Sequence, residues 1–326
     1  MNTRRKFVIA LGASALTAPF ASFAQQQAAK FPRIGIVEFG GPPDSQFVSD
    51  YINALRLLGY AEPSSLQVER RYAQGKAERF ADLLQDLANK RVDLVFVVGN
   101  DIANVAKRVT PTLPVVTAGS EDPVMSGLIE SFRRPGGNIT GVTYLSPQLA
   151  AKRLELLKEM LPGISRVAML WDPTHVDTYY GEMESVARSL GVRLQLVEVR
   201  SAEEIDGALV TVQKGRAEAL FVAPSRLINL QAKRVNQIAV SARLPVMAAY
   251  ANFTEAGGLM SYGAVTVEML RRAAAQTDKI LKGARAGELP YEQAATFELV
   301  INMKTAKALG IKIPQSILVR ADKVIE

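Results

Sequence analysis

Five short phrases recur in the same order in the two halves of the chain. Arg33-Ile-Gly-Ile-Val-Glu-Phe39 returns as Arg166-Val-Ala-Met-Leu-Trp-Asp172, and Leu58-Gly59-Tyr60 returns as Leu190-Gly191-Val192. Asp93-Leu-Val-Phe-Val-Val-Gly99 is echoed by Glu218-Ala-Leu-Phe-Val-Ala-Pro224, and Leu113-Pro-Val-Val116 by Leu244-Pro-Val-Met247. Ser126-Gly-Leu-Ile129 matches Gly257-Gly-Leu-Met260, and all the offsets lie between 125 and 133. A near-constant internal period demands one topology used twice. Similar α/β units explain the order of the elements but not the Leu-Pro-Val match.

Within the first copy, Arg33–Phe39 and Asp93–Val98 are continuous apolar runs, as strands covered on both faces require. Gln46–Leu58 reads as a helix ended by Gly59, Leu66–Arg71 as a strand, and Ala77–Asn89 as a helix with Leu83, Leu84 and Leu87 on one face. Alternating strands and helices imply parallel βαβ units. The expected fold is α/β: two similar doubly wound Rossmann-like lobes joined by a multi-strand hinge. After Tyr262 come a long helix, Val265–Leu281, and a strand–helix, Thr296–Leu309. This tail is expected to cross back between lobes, with hinge strands near Gly141–Thr143, Ser261–Gly263 and Ala294–Phe297. The lobes then comprise residues 31–142 plus about 264–293, and residues 143–263 plus about 294–326.

The first 24 residues have the plan of a cleaved export signal: basic Arg4-Arg5-Lys6, an apolar middle, and Ser22-Phe23-Ala24 before Gln25. Thr3-Arg4-Arg5-Lys6-Phe7 resembles the twin-arginine motif. Gly12, Ser14, Thr17 and Pro19 dilute the apolar stretch, against a permanent span, which needs about 20 strongly apolar residues. With no lipobox cysteine, the mature chain is expected free in the periplasm of a Gram-negative cell.

Several chemistries are excluded. The chain has no cysteine and one histidine, His175, so disulfides and an ordinary zinc set are ruled out. Gly40-Gly41 follows the first strand without completing G-x-G-x-x-G, and neither a P-loop nor a G-x-S-x-G elbow is present. No cofactor, metal site or catalytic residue is expected, and His175 reads as a solvated loop residue. The net charge of +7 includes Arg4, Arg5 and Lys6 of the signal, and the other charges are interspersed, so nucleic acid is not an expected partner.

Ligands of open α/β sheets sit outside the carboxyl ends of the strands. That rule selects Glu38, Phe39, Asn100, Asp101, Ser120, Asp122, Trp171, Asp172, Ser225, Arg226, Tyr250 and Tyr262 as cleft-lining candidates. Trp171, the single tryptophan, reads either as core or as a stacking platform for ligand. Glu121-Asp122 reads equally as turn chemistry before Pro123 or as a ligand acceptor.

Gly40-Gly-Pro-Pro43, Leu57-Leu-Gly-Tyr60, Asp122-Pro-Val124, Arg134-Pro-Gly-Gly-Asn-Ile-Thr-Gly141 and Lys152-Arg-Leu-Glu-Leu-Leu-Lys158 resemble one family. So do Glu255-Ala-Gly-Gly-Leu-Met-Ser-Tyr-Gly263, the run Phe297–Gly310 and the ending Arg320–Glu326. The family is that of ABC-transporter substrate-binding proteins related to the streptococcal tryptophan/tyrosine-binding lipoproteins. The resemblance implies a type I periplasmic-binding fold, a small-molecule ligand held by hinge closure without chemistry, and an ABC permease in the inner membrane as partner to a monomer. Where such proteins often carry Gly-Thr-Pro, this chain has Gly99-Asn100-Asp101. Asp101 is expected to cap the following helix and, with Glu38, to favour a neutral or cationic solute over an anionic one. Two other readings share the architecture: an exported two-lobed enzyme of glycosyltransferase-like build, and a ligand sensor docking on a membrane receptor.

Overall fold

The computed structural model describes residues 31–144, 146–173 and 179–326. The export signal and His175 lie outside the described residues. The strands are β1 (Arg33–Glu38), β2 (Gln67–Tyr72), β3 (Leu94–Val98), β4 (Val115–Gly119), β5 (Ile139–Thr143), β6 (Arg166–Trp171), β7 (Arg193–Glu198), β8 (Ala219–Val222), β9 (Val246–Ala248), β10 (Met260–Ala264), β11 (Glu292–Gln293), β12 (Phe297–Asn302) and β13 (Lys323–Ile325). The helices are α1 (Gln46–Leu57), α2 (Phe80–Asn89), α3 (Asn100–Val109), α4 (Ser146–Met160), α5 (Tyr179–Ser189), α6 (Ile205–Lys214), α7 (Arg226–Leu230), α8 (Ala232–Ser241), α9 (Ala251–Glu255), α10 (Thr266–Leu281), α11 (Met303–Leu309) and α12 (Gln315–Leu318).

Two sheets result. One runs β11-β5-β4-β3-β1-β2 and the other β13-β12-β10-β9-β8-β6-β7. Each contains the order 2-1-3-4-5 of a doubly wound sheet, counted from its own first strand, so the internal repeat is a repeat of topology. The repeated residues make equivalent bonds. Asp93 Oδ2 accepts the Arg33 N–H at 2.7 Å, and Glu218 Oε2 accepts the Arg166 N–H at 2.9 Å. The proline before β4 and the proline before β9 each offer a carbonyl to the neighbouring strand: Val95 N–H to Pro114 and Leu220 N–H to Pro245, both 2.9 Å. Proline lacks a donor of its own and so fits the first position of a strand.

Alternation along the strands covers both faces of each sheet. In β3, Leu94 and Phe96 face α1 and α10, while Val95 and Val97 face α2 and α3. In β6, Val167 and Met169 face α4 and α5, while Ala168 and Leu170 face α6 and α8. Helix α1 starts at Ser45, whose hydroxyl accepts the Val48 N–H at 3.3 Å, and buries Val48, Tyr51, Ile52 and Leu55. Tyr51 stacks on Phe96 at 3.7 Å and hydrogen-bonds Thr277 of α10 at 2.6 Å. The core of the first sheet is thus completed by a helix that follows the fifth strand of the second.

The backbone passes from one sheet to the other between β5 and α4, between β10 and α10, and between β11 and β12. At two of these passages the strand carries a glycine pressed against a neighbouring carbonyl, Gly141 against Thr117 and Gly263 against Ala249, where a Cβ has no room. One feature departs from the all-parallel expectation: β12 pairs antiparallel with β10, because it enters the second sheet directly after the last crossing rather than through a βαβ unit. Among the described residues, no helix is long and apolar enough to cross a membrane.

Candidate functional site

A pocket lined by both lobes opens at the carboxyl ends of the strands. The first lobe contributes Glu38, Phe39, Ser45, Phe47 and Val98, and the second contributes Ser225, Arg226, Asn229, Leu230 and Tyr250. All sit at the carboxyl ends of strands or in the first turns of the following helices.

Glu38 ends β1 and is 8% exposed. Its carboxylate accepts the Ser45 N–H at 3.0 Å, at the start of α1. Burial pushes this carboxyl above its ordinary value, partly offset by the bonds from Ser45. Phe47 meets Tyr250 edge to face at 5.5 Å, and Tyr250 meets Tyr144 at 5.7 Å, so the aromatic wall is built from both lobes.

Arg226, the first residue of α7, crosses the gap. Its Nη1 donates to the Val98 carbonyl at 2.7 Å and to Asp101 Oδ1 at 2.7 Å, and its Nη2 donates to Asp101 Oδ2. The guanidinium lies 5.2 Å from the centre of the Phe39 ring and 6.0 Å from that of Phe80. Burial works against the charge here, but Asp101, together with Glu121 and Tyr250, raises the arginine's affinity for its proton. A bidentate, charge-assisted pair stacked on aromatics is a demanding arrangement that lysine does not reproduce. Gly99 has φ +108°, and a Cβ on it would overlap Arg226 Nη1, so glycine is required both for the backbone and for the approach of the arginine.

Of the twelve candidates drawn from the sequence, Glu38, Phe39, Ser225, Arg226 and Tyr250 line the cavity, and Asp101 joins it through Arg226. Asp101 does not cap α3, contrary to expectation: the cap position is Gly99, with no side-chain cap bond, and the Asp101 carboxylate is held by Arg226. Asn100 is buried, with its Nδ2 3.2 Å from Ser126 Oγ. Asp122 closes a turn by accepting the Val124 and Met125 N–H groups at 2.8 and 3.1 Å. Ser120 is buried beside Glu121, whose Oε2 accepts its N–H at 3.3 Å. Asp172 accepts the Ser225 hydroxyl at 2.9 Å and ties the end of β6 to the start of α7. Trp171 and Tyr262 pack against the core of the second lobe, Tyr262 over Phe297 at 6.4 Å. The strand-end rule misses Ser45, Phe47, Asn229 and Leu230, which lie at the start of α1 and the end of α7. Phe47 carried a signal: it is an apolar residue adjacent to, but outside, the Val48–Tyr51–Leu55 core stripe of α1.

A family described as ABC transporter substrate binding protein matches residues 35–325. Among curated relatives, the tyrosine-binding protein of Clostridioides difficile is 23% identical over 265 residues, 80% of this chain and 76% of its own length. Among solved structures, the L-Trp complex of an ABC domain from Streptococcus pneumoniae superimposes with TM-score 0.82 at 26% identity, covering 90% of this chain and all of that one. The ligand-free, open form of a substrate binding protein with adhesive properties from Clostridium difficile gives TM-score 0.63 at 21% identity, covering 90% of this chain and 99% of that one.

Proposed function

Because the chain belongs to the family of ABC transporter substrate-binding proteins, which are not enzymes, we propose that it is the exported, periplasmic solute-binding component of an ABC importer. A small molecule enters the cavity between the lobes, both lobes contact it, and hinge closure presents the loaded form to an inner-membrane permease. The molecule is released unaltered. The observation that carries this reading is Arg226, which reaches from the second lobe to Asp101 and the Val98 carbonyl of the first, across a cavity lined by both. Closure must draw its energy from contacts made only in the closed state, since a ligand held equally in both states shifts nothing. The interlobe bonds of Arg226 and the Phe47–Tyr250 contact belong to that class.

The test is a melting-temperature screen of the mature chain against amino acids, amines, sugars and nucleosides. A true ligand at 100 times its dissociation constant adds about 2.7 kcal/mol. The hit should contract the particle in small-angle scattering and be recovered unchanged by mass spectrometry after long incubation. Conversion of the hit at many turnovers per protein would revive the two-lobed enzyme, and failure of every solute would remove the binding reading.

A further inference from the structure

The polar groups of the cavity are one-sided, and this narrows the class of solute that the proposed binding function serves. Arg226 is the cation of the cavity wall, and Asp101 neutralises it through two parallel bonds. The guanidinium also lies across the amino-terminal end of α3, over Gly99. Helix starts are the usual seats for a carboxylate. Here α3 is covered by the Arg226–Asp101 pair, and α1 meets Glu38 through the Ser45 N–H. Apart from Arg226 Nε, a buried donor without a partner, what remains for a ligand are acceptors. Glu38 presents a buried carboxylate whose oxygens bond one backbone donor at good distance. Asn229 Oδ1 is buried at the cavity wall with no hydrogen-bond partner. A buried acceptor without a donor is costly, so a ligand donor placed there gains more than an ordinary hydrogen bond. Beside them stand Phe47 and Tyr250, whose rings favour an apolar body and attract a cation.

We infer that the solute captured in this cavity carries a protonated amine and no carboxylate, with its ammonium held by Glu38 and Asn229 and its apolar part packed against Phe47 and Tyr250. An ammonium brings three donors and one positive charge, which matches two acceptors and the residual charge of Glu38. A zwitterion with its ammonium on Glu38 brings its carboxylate to a wall whose one cation, Arg226, is already paired with Asp101.

The inference rests on the solute-binding reading, and its test is built to fail separately. Purified mature protein, unfolded and refolded to strip any bound solute, is titrated calorimetrically with three probes sharing one ring system: tryptamine, L-tryptophan and indole-3-propionate. The expected order is tryptamine at least tenfold tighter than L-tryptophan, with indole-3-propionate silent. Glu38→Gln, which keeps the size of the side chain and an acceptor for the Ser45 N–H, should weaken tryptamine at least tenfold without lowering the melting temperature. Equal or tighter binding of either carboxylate, full tryptamine affinity in Glu38→Gln, or silence of tryptamine at 1 mM overturns the amine class. In each of those cases a melting shift by any sugar, nucleoside or amino acid leaves the solute-binding function standing, whereas silence of the whole screen removes both.

Discussion

Replacing Asp101 by Asn isolates the bond between the lobes. The side chains of Arg226 and Asp101 are 20% and 28% exposed, so the pair is mostly shielded. Asn keeps the size and one acceptor, but it removes the charge and the second parallel bond. Truncating one partner of a buried, hydrogen-bonded charge pair costs about 2–5 kcal/mol, and an isosteric amide belongs at the lower end. A loss of about 2 kcal/mol is roughly a 30-fold change in an equilibrium. This loss falls on the closed state, because in an opened molecule both groups return to water. From a tenfold preference for closure, the closed fraction drops from about nine in ten to about one in four. Small-angle scattering of the ligand-free protein should therefore show a larger radius of gyration for Asp101→Asn than for the parent, while the urea-unfolding free energy falls by only about 1.3 kcal/mol. The reverse pattern, an unchanged radius with a loss of about 3 kcal/mol or more in urea, would show that the pair cements a fixed interface and refute the latch.

Burial raises the Glu38 carboxyl above its ordinary value. Between the unfolded and folded values, the native protein holds a proton that the unfolded chain has released, so Glu38 lowers stability as pH rises through that window. Glu38→Gln should match the parent's melting temperature near pH 4 and exceed it at pH 7, and a gap independent of pH would contradict this. Gly99→Ala, at φ +108° and against Arg226 Nη1, should cost about 1–3 kcal/mol in urea titration and also loosen the lobes in scattering. An alanine variant as stable and as compact as the parent would refute the steric argument. Changing Arg4 and Arg5 to Lys should leave the precursor in the cytoplasm, read by fractionation, and normal periplasmic yield would exclude the twin-arginine route.

The duplicated topology was legible because it is written in local chemistry. Asp93 with Arg33, and Glu218 with Arg166, staple equivalent strands, and the prolines before β4 and β9 serve equivalent carbonyls. Alternation in β3 and β6 likewise reports two covered faces. The strand-end rule found Glu38, Phe39, Ser225, Arg226 and Tyr250, since parallel sheets fix where strands end. It could not find what depends on how the lobes face each other. Arg226 and Asp101 are 125 positions apart, and nothing near Asp101 announces that its carboxylate meets an arginine instead of a helix end. The same limit hid Asn229, whose partnerless oxygen is a property of the assembled cavity. The antiparallel β12 escaped because its direction is set by the route of the last crossing, not by its own residues.

Helix α10 gives this protein a timetable. It buries Met269, Leu270, Ala273 and Ala274 against Tyr51, Leu55 and Phe96, residues made more than 170 positions earlier. At roughly 5–20 residues per second, about 8–30 s separate the emergence of β5 from that of β11. Through that interval the first sheet has an open apolar face on the nascent chain. The second sheet waits as well, since Leu299 and Ile301 of β12 close its core. The first half thus completes its core only with residues translated after most of the second half. Cutting the gene between the two copies would leave the first fragment without α10, while the second would keep its own core and carry α10 with nothing to cover.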